Sequence, residues 1–125
     1  MSIQWFNETP KAAVATLTSA NITFNKTATY YFETAYQVMM GFDKDKSIIV
    51  VKPLSKAVAL RGDIPEQSRY NITVKSSYSR VTNKAFIQTI SEQFELTFAE
   101  TGNKYSSTWD EKNNFLVINL KEEII

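Results

Sequence analysis

Cysteine and histidine are absent from the 125 residues. The first absence removes disulfides, thiolate catalysis and zinc-finger ligation; the second removes the usual general base and the commonest metal ligand. Most hydrolase and oxidoreductase constellations are thereby excluded. Glycine and proline are scarce, at three each, which argues against collagen-like and low-complexity chains. No apolar run approaches the roughly 20 residues needed to cross a bilayer. Neither sign of charge dominates, since 14 Lys and Arg face 13 Asp and Glu for a net of +1. What the chain does have is a 43% hydrophobic fraction with 13% aromatics. At this length, folding hides roughly two-thirds of the unfolded surface. A single soluble domain over residues 1–125 is expected.

The opening Met1-Ser2-Ile3-Gln4-Trp5-Phe6-Asn7-Glu8 has no basic stretch and no apolar core of roughly 7–15 residues of the kind that directs secretion. A cytoplasmic location is expected. Asn-x-Thr triplets at Asn7, Asn21, Asn25 and Asn71 would be glycosylation acceptors in a secreted protein. Here they read as a consequence of abundant Thr and Asn in strands and caps.

Chemistries that dispense with Cys and His find little support. A calcium loop starting at Asp43 would need Gly where Ile48 stands and Glu where Leu54 stands. Glu92/Glu95 and Asp110/Glu111 read as an exposed helix end and a hairpin turn, not as carboxylates buried together for acid–base work. Ser76, Ser77, Ser79, Tyr78, Lys75 and Lys84 lie close in sequence, yet without a Gly-x-Ser-x-Gly elbow or a Ser-x-x-Lys motif. No catalytic residue, metal ligand, small-molecule cofactor or membrane partner is expected, and the protein reads as a non-enzyme.

Two stretches recur in outline. Ile22-Thr23-Phe24-Asn25-Lys26-Thr27-Ala28 returns as Arg80-Val81-Thr82-Asn83-Lys84-Ala85-Phe86, and Phe42-Asp43-Lys44-Asp45-Lys46-Ser47-Ile48-Ile49-Val50-Val51 returns as Trp109 through Ile118. Self-similarity of this kind constrains architecture more than local propensity does. In the first unit, residues 13–18 and Ile22-Thr23-Phe24 read as strands, and Asn25 as the N-cap of a helix near 26–36. The aromatics Tyr30, Tyr31, Phe32 and Tyr36 are assigned to the core. Residues 38–42 and 47–51 form a hairpin turning at Asp43–Lys46, with Pro53 tending to end the strand. Residues 54–67 connect the halves. In the second unit, 70–75 alternates as a strand and Asn83 caps a helix burying Phe86, Ile87, Ile90 and Phe94. Strands follow at 95–99, 105–109 and 114–120. The fold class is α+β: two diverged β-β-α-β-β units, about 13–54 and 70–120, forming one domain of mostly antiparallel sheet with two short helices.

Val14 through Lys26, then a helix, then Val38 through Pro53, resembles the AbrB/MraZ-type swapped-hairpin pattern. A tandem pair of such units resembles the MraZ arrangement most. The resemblance implies a bacterial-type transcription regulator or antitoxin that binds DNA as an interleaved dimer or larger ring. Ala20-Asn21 stands where that family usually has Gly-Arg, with Ser79-Arg80 in the second unit, and Asn25 or Asn83 stands in place of its Pro.

Charge is unevenly spread. Residues 52–84 carry Lys52, Lys56, Arg61, Arg69, Lys75, Arg80 and Lys84 against Asp63 and Glu66, whereas residues 85–125 carry three Lys against seven acids. The basic stretch is the candidate phosphate-binding surface, with Tyr70 or Tyr78 stacking or donating; an ordinary solvated face would carry the same residues. Two functions remain open: a small regulatory DNA-binding protein, or a protein-interaction module whose acidic end and Ile124-Ile125 tail engage a partner or a second copy. Either is expected to be a homo-oligomer.

Overall fold

The structure is a computed structural model that describes residues 2–6 and 11–124. The Asn7 triplet and Ile125 of the tail lie outside the described residues. The element order is β1 (Val14–Leu17), β2 (Asn21–Phe24), α1 (Lys26–Thr29), β3 (Gln37–Asp43), β4 (Ile48–Leu54), α2 (Lys56–Ala59), β5 (Thr73–Val74), β6 (Ser79–Thr82), α3 (Lys84–Phe94), β7 (Asn103–Asp110) and β8 (Phe115–Ile124). All paired strands are antiparallel, in the order β3-β4-β8-β7-β1-β2-β6-β5. The class is mixed α and β, and no helix among the described residues is long and apolar enough to cross a membrane.

The curled sheet keeps a mostly apolar face turned inward. Successive side chains point to opposite faces, and Ala15, Leu17, Ile22, Phe24, Val38, Ile49, Val51, Val81, Tyr105, Leu116 and Ile118 all point inward to buried positions. Each large side chain among them contributes about 1.5–3 kcal/mol by leaving water. The curl brings the two ends of the sheet together: Val38 and Tyr70 exchange both backbone hydrogen bonds, at 2.8 and 2.9 Å. Helix α3 covers the interior with Ile87 and Ile90, and Phe94 meets Phe42 edge-on, 5.9 Å between centroids.

Both main hairpins turn on an aspartate. Asp43 Oδ1 accepts from the amides of Asp45 and Lys46 at 3.0 and 3.2 Å, and Asp110 Oδ1 accepts from those of Lys112 and Asn113 at 3.0 and 3.1 Å. Ser47 and Asn114 then take left-handed backbone with φ of 55°, a conformation that short polar side chains tolerate. Asn25 and Asn83 are the N-caps of α1 and α3, accepting from Ala28 N and Phe86 N, each at 3.0 Å.

Several elements differ from the sequence expectation. The helix over 26–36 is only one turn, followed by a tighter 3-10 turn at Tyr30–Phe32. Thr and aromatic residues lose rotamer freedom in a helix, and packing does not extend it. Of its aromatics Phe32 is buried, but Tyr30 and Tyr36 are 68% and 42% exposed, so the core assignment fails for both. Tyr31 stacks on Trp109 at 4.6 Å instead. Residues 95–99 are not a strand: Glu95 turns left-handed at φ 53°, and the Asn103 side chain bonds Thr97 O and Ala99 N. These bonds fix the segment as a loop. The strand over 70–75 shrinks to Thr73–Val74 plus the Tyr70 bridge, and β8 runs on to Ile124. Pro53 does not end β4. It sits opposite Val38, whose own amide turns away to Tyr70, so Pro53 lacks its donor where the β8 ladder has already stopped at the Val51–Leu116 pair.

Candidate nucleic-acid interface

The strand registers decide which basic residues share a face. Val38 points inward, so its neighbours Gln37 and Met39 point outward. Met39 is opposite Lys52 on β4, which places Lys52 on the same outer face. Across the seam, Tyr70 pairs with Val38 and leaves Arg69 and Asn71 pointing outward; the alternation continues through Thr73 to Lys75. Thr73 is opposite Arg80 of β6, which is opposite Thr23 of β2. Lys52, Arg69, Lys75 and Arg80 therefore lie on one outer band running over β4, β3, the 69–75 segment and β6. The band spans three strand spacings, about 14 Å.

Neutral polar groups fill the space between these cations. Arg69 Nη1 donates to Gln37 Oε1 at 2.8 Å, and Gln37 Nε2 donates to Asn71 Oδ1 at 3.1 Å. Arg80 Nε donates to Thr23 Oγ1 at 3.1 Å, and its guanidinium lies over the Tyr78 ring at 5.2 Å. Lys52 Nζ donates to Asn113 O at 3.0 Å. None of these partners is an acid, so the positive charge stays uncompensated and available to an anion. Arg69 and Arg80 are held by bonds that use only part of each guanidinium.

The remaining three predicted residues lie elsewhere. Arg61 makes a two-pronged contact with Asp63, at 3.0 and 2.8 Å. The carboxylate's hydrogen bond raises the Arg61 pKa, and the guanidinium lowers that of Asp63. Among the described residues this is the one ion pair, and it cancels the charge that Arg61 would bring. Lys84 opens α3 and lines a separate cleft of about 440 Å3 with Ser19, Ile87, Gln88, Ser91 and Phe98. Lys56 stands over the Tyr36 ring at 6.0 Å, beyond the end of β4 at the margin of the band. Tyr78 meets the band through Arg80, while Tyr70 is occupied in the sheet seam and donates its hydroxyl to Gln67 O at 2.9 Å.

Sequence reasoning missed Lys104, Gln37, Asn71 and Thr23. Lys104 is opposite Thr16, which is opposite Thr23, so the polar row continues from Arg80 across β2 and β1 to β7. The signal lay in strand alternation combined with pairing partners, and pairing across the two halves is not written in either half alone. No family model matches the chain, and no curated protein or solved structure is significantly similar to it.

Proposed function

We propose that the chain is a small non-enzymatic regulatory protein that binds duplex nucleic acid by its phosphates. The observation that carries the reading is the outer band of Lys52, Arg69, Lys75 and Arg80, set among Gln37, Asn71, Thr23 and Thr73 with no acid between them. Lys and Arg that release condensed counterions from phosphates supply affinity independent of sequence. The band's breadth is comparable with the width of a major groove, about 12 Å, so phosphates on both sides of a groove fall within its reach. Among the described residues no helix offers a row of Arg, Asn and Gln to base edges, and binding of low sequence specificity follows.

The same reading takes the chain as two diverged β-β-α-β-β units, in the manner of the swapped-hairpin pattern. Exchanging β1–β4 with β5–β8 returns the strand order unchanged as a closed ring read in reverse, given the Val38–Tyr70 bridge. Equivalent Asp turns and Asn caps support it as well. Two units interleaved within one chain would bring the ring round to its Val38–Tyr70 seam in a monomer, where a single unit of that pattern would need a second copy. Titration of the protein against a random duplex at low and at moderate salt tests the binding. Affinity that is present at low salt and falls steeply is expected; no binding at low salt removes the reading.

A further inference from the structure

The closure of the sheet is incomplete, and the chain carries a segment suited to the gap. β3 is an end strand whose backbone, among the described residues, is joined across the seam only at Val38. In an antiparallel strand the N–H and C=O of alternate residues face the same side, so those of Met40 and Phe42 face the open side with Val38's. The chain beyond the bridge turns away in the Glu66–Ser68 3-10 turn, and among the described residues no backbone bond reaches Met40 or Phe42 from there. Open edges are normally guarded by Lys, Pro or a bulge; Met39-Met40-Gly41-Phe42 has none. Beside this edge lies a shallow apolar hollow of about 180 Å3 lined by Met39, Met40, Gly41, Val50, Lys52 and Phe115.

Near the start of the sequence, Ile3, Trp5 and Phe6 are 68%, 82% and 86% exposed. Three large apolar side chains in the uncharged run Ser2–Phe6 are a heavy exposure for so short a segment. As an added strand the run would set Ile3 and Trp5 on one face and Phe6 on the other. We propose that the N-terminal segment Ser2–Phe6 of a second copy adds as a strand to the Met39–Asp43 edge of β3 and seats apolar side chains in the adjacent hollow, giving a dimer with reciprocal arms.

Geometry favours a second copy over the chain's own arm. β1 and β3 stand four strand positions apart in either direction around the ring, about 19 Å of lateral path. From Phe6 to Lys11 the chain extends to about 18 Å at most, which leaves nothing for passage over intervening side chains or along β3. Reciprocal exchange closes under a two-fold axis and satisfies both arms and both edges. The pairing does not depend on nucleic-acid binding.

Sedimentation of the full chain over a wide concentration range tests the proposal. A dimer of twice the 14.3 kDa chain mass is expected, with Trp5 fluorescence, taken as the difference from Trp5→Ala, shifting to the blue and losing acrylamide quenching as the dimer forms. Ile3→Ala with Trp5→Ala should weaken dimerisation by about thirtyfold, the ordinary effect of truncating a buried aromatic anchor, and leave circular dichroism unchanged. Met40→Pro, which removes the free edge donor, should weaken it too, whereas Met40→Leu should not. A monomer at every concentration with quenchable Trp5 overturns the proposal. So does a monomer with Trp5 already protected, which places the arm on its own chain, and so does a dimer indifferent to the arm substitutions.

Discussion

Thr29 and Ser79, separated by 50 positions in the chain, share a buried hydrogen bond of 2.8 Å between their hydroxyls. Thr29 Oγ1 donates to Phe24 O at 3.3 Å, so Ser79 supplies the proton of the shorter bond. The pair ties the end of α1 to the start of β6 and so fixes one half against the other inside the apolar interior.

Removing the Thr29 hydroxyl leaves that of Ser79 buried without its partner, whereas Thr29 keeps its bond to Phe24 O when Ser79 is replaced. Thr29→Val should therefore destabilise the protein by about 1–3 kcal/mol and Ser79→Ala by about 1 kcal/mol, while the double variant should lose less than the sum, because no unsatisfied hydroxyl then remains. Urea unfolding of the four proteins gives the coupling energy; additive losses would show that the two groups do not depend on each other.

The two helix caps should differ in worth. Asn83 accepts from Phe86 N alone. Asn25 accepts from both Ala28 N and Val14 N, at 3.0 and 3.1 Å, and its Nδ2 donates to Ala12 O at 2.8 Å. Asn83→Ala should cost about 1 kcal/mol, typical of a missing N-cap, and Asn25→Ala about twice that, since the entry to β1 is released with it. Equal losses in urea unfolding would mean that the bonds to Val14 and Ala12 contribute nothing.

These caps were legible because their chemistry is local: an Asn before a helix, an Asp opening a hairpin. The hairpin β3–β4, the caps and the basic stretch could all be read within a few residues. The one-turn α1 could not, because Ala28, Phe32 and Ala35 keep helical spacing even though packing fixes only the first turn. Leu96 and Phe98 mimic strand alternation, yet Asn103 holds them in a loop from a distance. The outer basic band was half legible. Arg69 and Arg80 stood out as charges, but their common face depends on the Val38–Tyr70 and Thr73–Arg80 pairings, which join segments far apart in sequence.

Acid should loosen the β7–β8 turn. The Asn113 side chain and the turn amides hold the Asp110 carboxyl below the ordinary carboxylate range. A carboxylate whose folded pKa is depressed contributes stability that is present above its unfolded pKa and lost as pH falls through the folded value. Stability should therefore drop as pH falls below about 4, and Asp110→Asn, which keeps the acceptor oxygen without the charge, should blunt that drop. Unfolding midpoints measured across the acid limb check this; identical pH profiles for both proteins would remove Asp110 from the account.

Nucleic-acid binding, on the reading proposed above, should respond to the outer band and not to basic residues as such. Replacing Arg69, Lys75 and Arg80 together with Ala removes three uncompensated cations from one face. The slope of log K against log salt should then flatten by about 0.9 for each phosphate no longer neutralised, up to about three phosphates, with all duplex sequences affected alike. Arg61→Ala is the matched control: its charge is already answered by Asp63 at 2.8 Å, so the slope should scarcely change. Lys84→Ala, beside the cleft at α3, should be equally silent. Binding that weakens as much for Arg61→Ala or Lys84→Ala as per residue of the triple variant would mean that net charge alone matters and that the band is no interface; weakening confined to one duplex sequence would point to base readout instead.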